Sequence, residues 1–337
     1  MSPPTAPTNC WTFCNGILPA VSRSFALIIP QCPDPIDRGL CVAYLLCRIA
    51  DTIEDEADLA AEARDRLYDL FLAAMDQPGD SARIGAFVRA WPAIPEGDCG
   101  RLVAGAEHAL AAFLTLPAEY HGPIRTCVRD MIAGMRTAYP VETAGGIHFF
   151  CRDFDDLDRY CHHVAGVVGI MSTALFELRL GRAGFAATPA WREEGRRLGL
   201  GLQMTNIIKD CRVDAERGVS FIPFSCLDPE KPGYELSPEG RSRLIGHAIG
   251  HLDAGLDYIR AIPGSETGLR VFLLGSHLPA IATLELAAAG SEYHPKIDRT
   301  QMQEILALIA TEGTDNEQVT AWYNNHRQRT LQAAGCD

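Results

Sequence analysis

The sequence has little that would make a β-strand. Alternating β-branched runs bounded by turns are hard to find, and Ala, Leu, Arg and Glu dominate, with apolar residues spaced three and four apart. Positive charge is also short. Against 43 Asp and Glu stand 30 Lys and Arg, a formal net charge of −13. That argues against a nucleic-acid binder, which needs a clustered basic surface, and against general attraction to anionic lipid. No Gly-x-Gly-x-x-Gly follows a strand, which excludes a dinucleotide-binding domain. The 12 cysteines include no CxxC pair and no zinc-type spacing with histidine. Several, such as Cys41 and Cys47, sit in apolar helical stretches where a thiol acts as a small hydrophobe. The expected compartment is reducing and cytoplasmic. The N-terminus lacks a signal-peptide pattern. The longest apolar run, Leu278 to Ala289, carries Glu285 and falls short of the roughly 20 residues that span a bilayer, so no transmembrane anchor is expected. An anionic substrate would have to be held by local cations or by metal.

What is present reads as helix. The spacing predicts helices over 36–56, 60–76, 81–91, 98–115, 119–138, 154–179, 189–213, 238–261, 267–289 and 299–333, the last broken near Gly313. Asp34-Pro35, Thr188-Pro189 and Ser237-Pro238 each place a capping residue before a proline suited to a first helical turn. The longest irregular stretch, Arg217 to Leu236, is long enough to be functional or mobile. With no composition break and no repeat, the expectation is a single all-α domain over 1–337, its core about 10–333.

Two acidic stripes carry the chemistry. In the first, Tyr44, Arg48, Asp51 and Asp55 are separated by four, three and four residues and share one helix stripe, with Glu54 flanking it. The interleaved Leu45, Leu46, Ile49, Ala50 and Ile53 suggest core on most sides, and a buried stripe of Tyr, Arg and carboxylates needs a reason. In the second, Asp210 and Asp214 are four apart, and Gln203 and Asn206 extend that face upstream. Either cluster alone reads as a solvated helix end. Two such pairs facing each other repel unless a cation lies between them, and Mg²⁺ suits oxygen ligands and substrate phosphate.

At these residues the sequence resembles the squalene and phytoene synthase family of head-to-head prenyl transferases. Four segments match in order: Ser22-Arg-Ser-Phe25, Asp51-Thr-Ile-Glu-Asp55, Tyr160 to Gly169, and Gln203 to Asp210 running on to Asp214. The Tyr-Cys-His opening at Tyr160, the Thr-Asn-Ile-Ile-Lys-Asp run and Ala280-Ile-Ala-Thr-Leu284 resemble the squalene synthase branch more than the phytoene synthase branch. One departure is Val213, where the family carries a carboxylate. The C-terminal membrane segment of eukaryotic squalene synthases has no counterpart in this sequence, which looks like a soluble bacterial form.

The resemblance implies an isoprenoid-synthase helical bundle around a deep apolar cavity, with farnesyl diphosphate as substrate, used twice. It implies Mg²⁺ held by Asp51, Glu54, Asp55, Asp210 and Asp214, and diphosphate bound by Arg23, Arg48 and Lys209, with Ser22 and Ser24 as smaller donors. Tyr44 and Tyr160 match family tyrosines near the reacting carbons. Phe272 matches an aromatic of the second half-reaction, and Gln203 and Asn206 lie near the reacting region. NADPH would supply a final hydride, with Lys296 and Arg299 resembling a basic segment that meets the cofactor phosphate and Asn206 also close to the cofactor. His162 and His163 read as structural, and Gly166 and Gly169 as points of close helix approach. Phytoene, dehydrosqualene and presqualene diphosphate synthases stay open as alternatives. From a different class, so does a non-catalytic helical protein that binds prenyl lipids. Oligomeric state is not legible, and peripheral membrane contact for product release is left open.

Overall fold

Runs of apolar residues at helical spacing become helices over almost every predicted range, in a computed structural model that describes residues 7–22, 24–56, 58–231, 235–290 and 294–336. The architecture is all-α, with one small sheet. By internal contacts the chain divides into two compact units, Met1–Arg136 with Ala174–Arg179, and Thr137–Thr173 with Leu180–Asp337.

The first unit holds α1 (Pro7–Val21), the short α2 (Phe25–Ile28), α3 (Ile36–Asp55), α4 (Ala61–Asp76), α5 (Ser81–Arg89), α6 (Gly97–Ala104), α7 (Ala106–Leu114) and most of α8 (Ala118–Thr137). Its organising element is α3. Leu45, Leu46, Ile49, Ala50 and Ile53 are fully buried, and α1, α4, α6 and α7 all pack on it. Apolar residues on several faces fix the helix in place, so its polar stripe cannot rotate away into water. Three expectations are corrected here. α1 was not anticipated; although Gly16 and Pro19 lie inside it, Cys10, Cys14, Ile17 and Leu18 bury one face of it. The helix expected over 98–115 is two helices. They break at Gly105, where a Cβ would stand 2.3 Å from the Phe13 ring, so packing against α1 sets the break. Pro35, not Asp34, holds the N-cap position of α3, and Asp34 instead pairs with Arg38.

The second unit begins with a hairpin, β1 (Glu142–Ala144) and β2 (Ile147–Phe149), whose turn glycines Gly145 and Gly146 have φ of 59° and 82°. Positive φ at both turn positions is what a two-residue hairpin needs. After α9 (Phe154–Cys161) comes a π-helical turn, His162–Gly166, and then α10 (Val167–Leu180), of which Ala174–Arg179 belong to the first unit, where one continuous helix was expected. α11 (Pro189–Glu216) leads into β3 (Val219–Ser220), which pairs parallel to β2. α12 (Pro238–Ala261), α13 (Thr267–Ala289), α14 (Arg299–Glu312) and α15 (Asn316–Ala334) complete the unit. Strands this short carry too little periodicity to be read from sequence.

Thr188 and Ser237 cap α11 and α12 as expected, accepting from Trp191 N at 3.1 Å and Gly240 N at 2.9 Å. The close approach expected of the glycines is also present. A Cβ on Gly169 would lie 2.4 Å from the Gly195 carbonyl, and one on Gly199 would lie 2.4 Å from the Ala165 carbonyl. By length and composition two helical stretches, 154–183 and Thr267–Ala289, are apolar enough to cross a membrane, so the apolar run at 278–289 is part of a longer one. α13 packs on α11, α12, α14 and α15, as a core helix does.

Arg270, on α13, is buried to 1% exposure. Its Nε donates to Gly313 O at 2.8 Å, its Nη1 to Ile259 O and Ile262 O at 3.1 and 2.9 Å, and its Nη2 to Asn316 Oδ1 at 2.7 Å. One guanidinium thereby satisfies carbonyls at the ends of α12 and α14, where helices leave acceptors unpaired and the dipole favours a cation. Arg270→Leu should remove these donors and lower unfolding free energy by at least about 3 kcal/mol. Urea unfolding of the variant checks this, and an unchanged midpoint would show that the carbonyls find other partners.

Candidate active site

Within the first unit the predicted stripe forms on the last turns of α3. Tyr44 donates through its hydroxyl to Val21 O at 3.0 Å, and its ring lies 5.5 Å from that of Phe25. Ser22, buried, accepts from Phe25 N at 3.1 Å, whereas Ser24 is exposed. The Ser-Arg-Ser-Phe segment therefore docks against Tyr44; Arg23 itself lies outside the described residues. Arg48 Nη1 stands 3.7 Å from Asp51 Oδ2, and its Nε is buried with no hydrogen-bond partner.

The carboxylates crowd one another. Burial, with Asp55 adding to it, pushes Asp51 up to about 7 from 3.8, and Arg48 offsets only part of this. Burial, then Asp51 and Asp55, pushes Glu54 up to about 8 from 4.5, against a smaller pull from Arg64. Asp55 is exposed. These groups also end a helix, where the dipole disfavours negative charge. Carboxylates left short of positive charge, all offering oxygen, form a donor set that fits a hard divalent cation such as Mg²⁺.

The second unit arranges its acids differently. Lys209 Nζ meets Asp210 Oδ2 at 2.6 Å, and His294 Nδ1 reaches Asp210 Oδ1 at 2.9 Å. Arg217 stands 3.8 Å from Asp214. This motif carries its own counter-ions, and Lys209, expected to face phosphate, is engaged with Asp210. On the same helix Gln203 is half-buried and Asn206 exposed. Phe272 is buried on α13. Lys296 and Arg299 are exposed, Arg299 opening α14 after the Asp298–Gln301 capping box.

Two features were missed in the sequence. His294 ties the segment leading to Lys296 onto Asp210, and its only signal was its place two residues before that basic pair. Tyr160 stacks on Phe221 with centroids 4.4 Å apart at 20°, and Phe221 stacks on Phe150 at 5.0 Å and 26°. Phe221 lies in the long irregular stretch after the second acidic motif, which marked the region without singling out the residue.

The sequence model for squalene/phytoene synthase matches residues 18–304. The chain belongs to the squalene/phytoene synthase family. Among relatives of this family member is a squalene synthase of Mycosarcoma maydis, 29% identical over 305 residues, 82% of this chain and 50% of that one. Another, named inactive squalene synthase 2, of Arabidopsis thaliana, is 33% identical over 213 residues, 59% of this chain and 43% of its own. The chain spans about half the length of the curated relatives it matches. The structure of TcSQS in complex with the ligand BPH1237 superposes with a TM-score of 0.76 at 20% identity, covering 97% of this chain and 99% of that one. A dehydrosqualene synthase complex gives 0.54 at 17% identity, over 90% and 96%. The fold is therefore the isoprenoid-synthase helical bundle of this family.

A pH dependence follows from the first motif. The fold favours protonated Asp51 and Glu54, so their contribution to stability is full below about pH 4 and is lost as pH rises through about 7 to 8. Protein freed of divalent ions should unfold at lower temperature at pH 8 than at pH 5, and Mg²⁺ should restore the midpoint more at pH 8. Replacing Asp51→Asn and Glu54→Gln together should flatten the slope. Thermal melts of parent and variant decide it: identical slopes would mean these carboxylates are not strained.

Proposed function

We propose that the chain catalyses the head-to-head condensation of two farnesyl diphosphates to presqualene diphosphate, and the NADPH-dependent reduction of that product to squalene. The observation that carries this reading is the crowding of Asp51, Glu54 and Asp55 at the end of α3, beside an Arg48 whose buried Nε has no hydrogen-bond partner. We take the two units as one catalytic domain in which Asp51, Glu54 and Asp55 of the first and Asp210 and Asp214 of the second are the carboxylates that would hold Mg²⁺. Mg²⁺, when bound, supplies Lewis-acid neutralisation of the leaving diphosphate.

The side chains divide the remaining work. Arg48 has an unpartnered buried Nε to offer a phosphate oxygen, joined by Arg23, Ser22 and Ser24 from the preceding segment. Lys209, now on Asp210, would offer its ammonium to a phosphate oxygen if Asp210 held a cation instead. Tyr44 and Tyr160 present ring faces to the allylic cation, and Tyr160 with the departing diphosphate takes the proton that closes the cyclopropane. Phe272, buried on α13, walls the region where the cyclopropyl cation rearranges, with Gln203 and Asn206 nearby. NADPH supplies hydride when bound. Lys296 and Arg299, exposed and without an ion-pair partner among the described residues, suit its phosphate.

Val213 favours a second reading, a synthase of this family that stops earlier or makes another product, since one expected auxiliary carboxylate is replaced. Incubation with labelled farnesyl diphosphate and Mg²⁺ separates the two. Presqualene diphosphate without NADPH and squalene with it are expected. Dehydrosqualene, or a product unchanged by NADPH, would move the assignment to the second reading, and no conversion at all would favour prenyl-lipid binding without catalysis. In the same assay Tyr160→Ala should stop all products and Phe272→Ala should accumulate presqualene diphosphate. Equal loss of both steps in both variants would overturn that division.

The cofactor site has its own test. Lys296→Ala with Arg299→Ala should raise the NADPH concentration needed for half-maximal squalene formation by roughly 10-fold or more, each lost charge-assisted bond being worth about 1.5–3 kcal/mol. Presqualene diphosphate formation should be spared. An unchanged NADPH dependence returns both residues to the solvated surface.

A further inference from the structure

We propose that Asp158, His247 and His251 form a binding site for a divalent transition-metal ion of the zinc class. Their ligand atoms all lie within 4.8 Å of one another. His247 and His251 are four residues apart on α12 and so share one face of it, and Asp158 comes from α9. Two imidazoles at this spacing with a carboxylate from another element form a three-ligand zinc set that leaves a fourth position open. Imidazole donors select zinc, cobalt, nickel or copper over magnesium, so the site is chemically separate from the all-oxygen acidic motifs.

The distances fit. Tetrahedral bonds of about 2.0–2.1 Å place ligand atoms roughly 3.3 Å apart. His251 Nε2 stands 3.3 Å from Asp158 Oδ1, and His247 Nε2 stands 2.7 Å from it. Insertion of an ion needs the shorter contact to open by about half an ångström and the two imidazole nitrogens, within 4.8 Å of each other, to settle at ligand spacing. A second observation is independent of this proximity. His251 is only 6% exposed, and its buried Nε2, despite lying 3.3 Å from Oδ1, has no hydrogen-bond partner. A buried imidazole nitrogen left unsatisfied costs free energy, and an ion among the three groups would satisfy it. His247 and Asp158 have side chains 30% and 36% exposed, which gives an ion a way in.

Neighbouring charge permits this. Arg196, which acts on Asp158, has its charge matched by Glu193, which accepts from Nε at 2.8 Å and from Nη2 at 2.5 Å. Arg197 Nε donates to His251 Nδ1 at 3.4 Å, near the outer limit of a hydrogen bond. That contact puts the proton of the neutral ring on Nε2. Metal binding moves the proton to Nδ1 and gives up this weak contact, while Arg197 keeps its 2.6 Å bond to Gly250 O. The bound ion ties α9 to α12. Because Asp158 stands two residues before Tyr160, it also fixes the helix that presents that ring.

The test uses the full chain, stripped by chelator and titrated with Co²⁺ and Zn²⁺. One equivalent should bind, giving the visible bands of cobalt with nitrogen and oxygen ligands, and Zn²⁺ should raise the unfolding temperature. His247→Gln and Asp158→Asn, both at partly exposed positions, should each weaken binding by roughly 100-fold and abolish the thermal shift. Three results would overturn the site: no binding at ~100 µM metal, well above typical zinc-site affinities; affinity unchanged in both variants; or a cobalt–thiolate charge-transfer band, which would assign the ion to cysteines.

Discussion

Three carboxylates crowd the last two turns of a helix that the core will not release. Asp51, Glu54 and Asp55 are separated by Thr52 and Ile53, both buried, with Ile49 and Ala50 buried just before them. Turning α3 to hydrate the acids would expose this apolar face, at about 25 cal/mol per Å². Leaving it in place keeps Asp51 and Glu54 only partly hydrated, against a helix C-terminus that disfavours negative charge. Arg48 and Arg64 relieve part of the strain. The remainder is electrostatic crowding that positive charge would relieve. Strain of this kind persists where binding needs it.

The second acidic motif meets the same problem with its own cations. Lys209, His294 and Arg217 surround Asp210 and Asp214, so any ion that takes Asp210 must compete with a lysine and a histidine already in place. The difference between the motifs is local: Asp210 and Asp214 have basic groups beside them, whereas Glu54 and Asp55 add negative charge beside Asp51.

Sequence spacing made the fold class and most of the long helices legible because each of those helices buries a continuous stripe. α12 and α13 run over the ranges expected. It failed where a distant residue decides the local structure. Gly105 breaks a helix because Phe13 packs against it, and Pro19 is tolerated inside α1 because α1 docks on α3 and α7. The site divides in the same way. The spacing of Asp51 and Asp55 is local and could be read directly, whereas the pairing of His294 with Asp210 and the stack of Phe221 on Tyr160 join residues 84 and 61 positions apart. No local signal reports either.

The placement of Tyr160 depends on backbone that only glycine permits. The π turn after it re-phases the chain between α9 and α10, so α10 continues on a face shifted from the one α9 started. It can do so because Gly166 and Gly169 bring the turn and α10 onto the backbone of α11 at Gly195 and Gly199. π turns inside helices recur at functional sites, and here the turn adjoins the tyrosine itself. On its other side Phe221 and Phe150 continue the stack. In such a stack the electron-rich faces meet one another and the rings turn their electropositive edges outward, so the column holds the Tyr160 ring by one face. The π turn on one side and the stack on the other set the direction of the ring, and the first of these needs the close approach that the glycines allow.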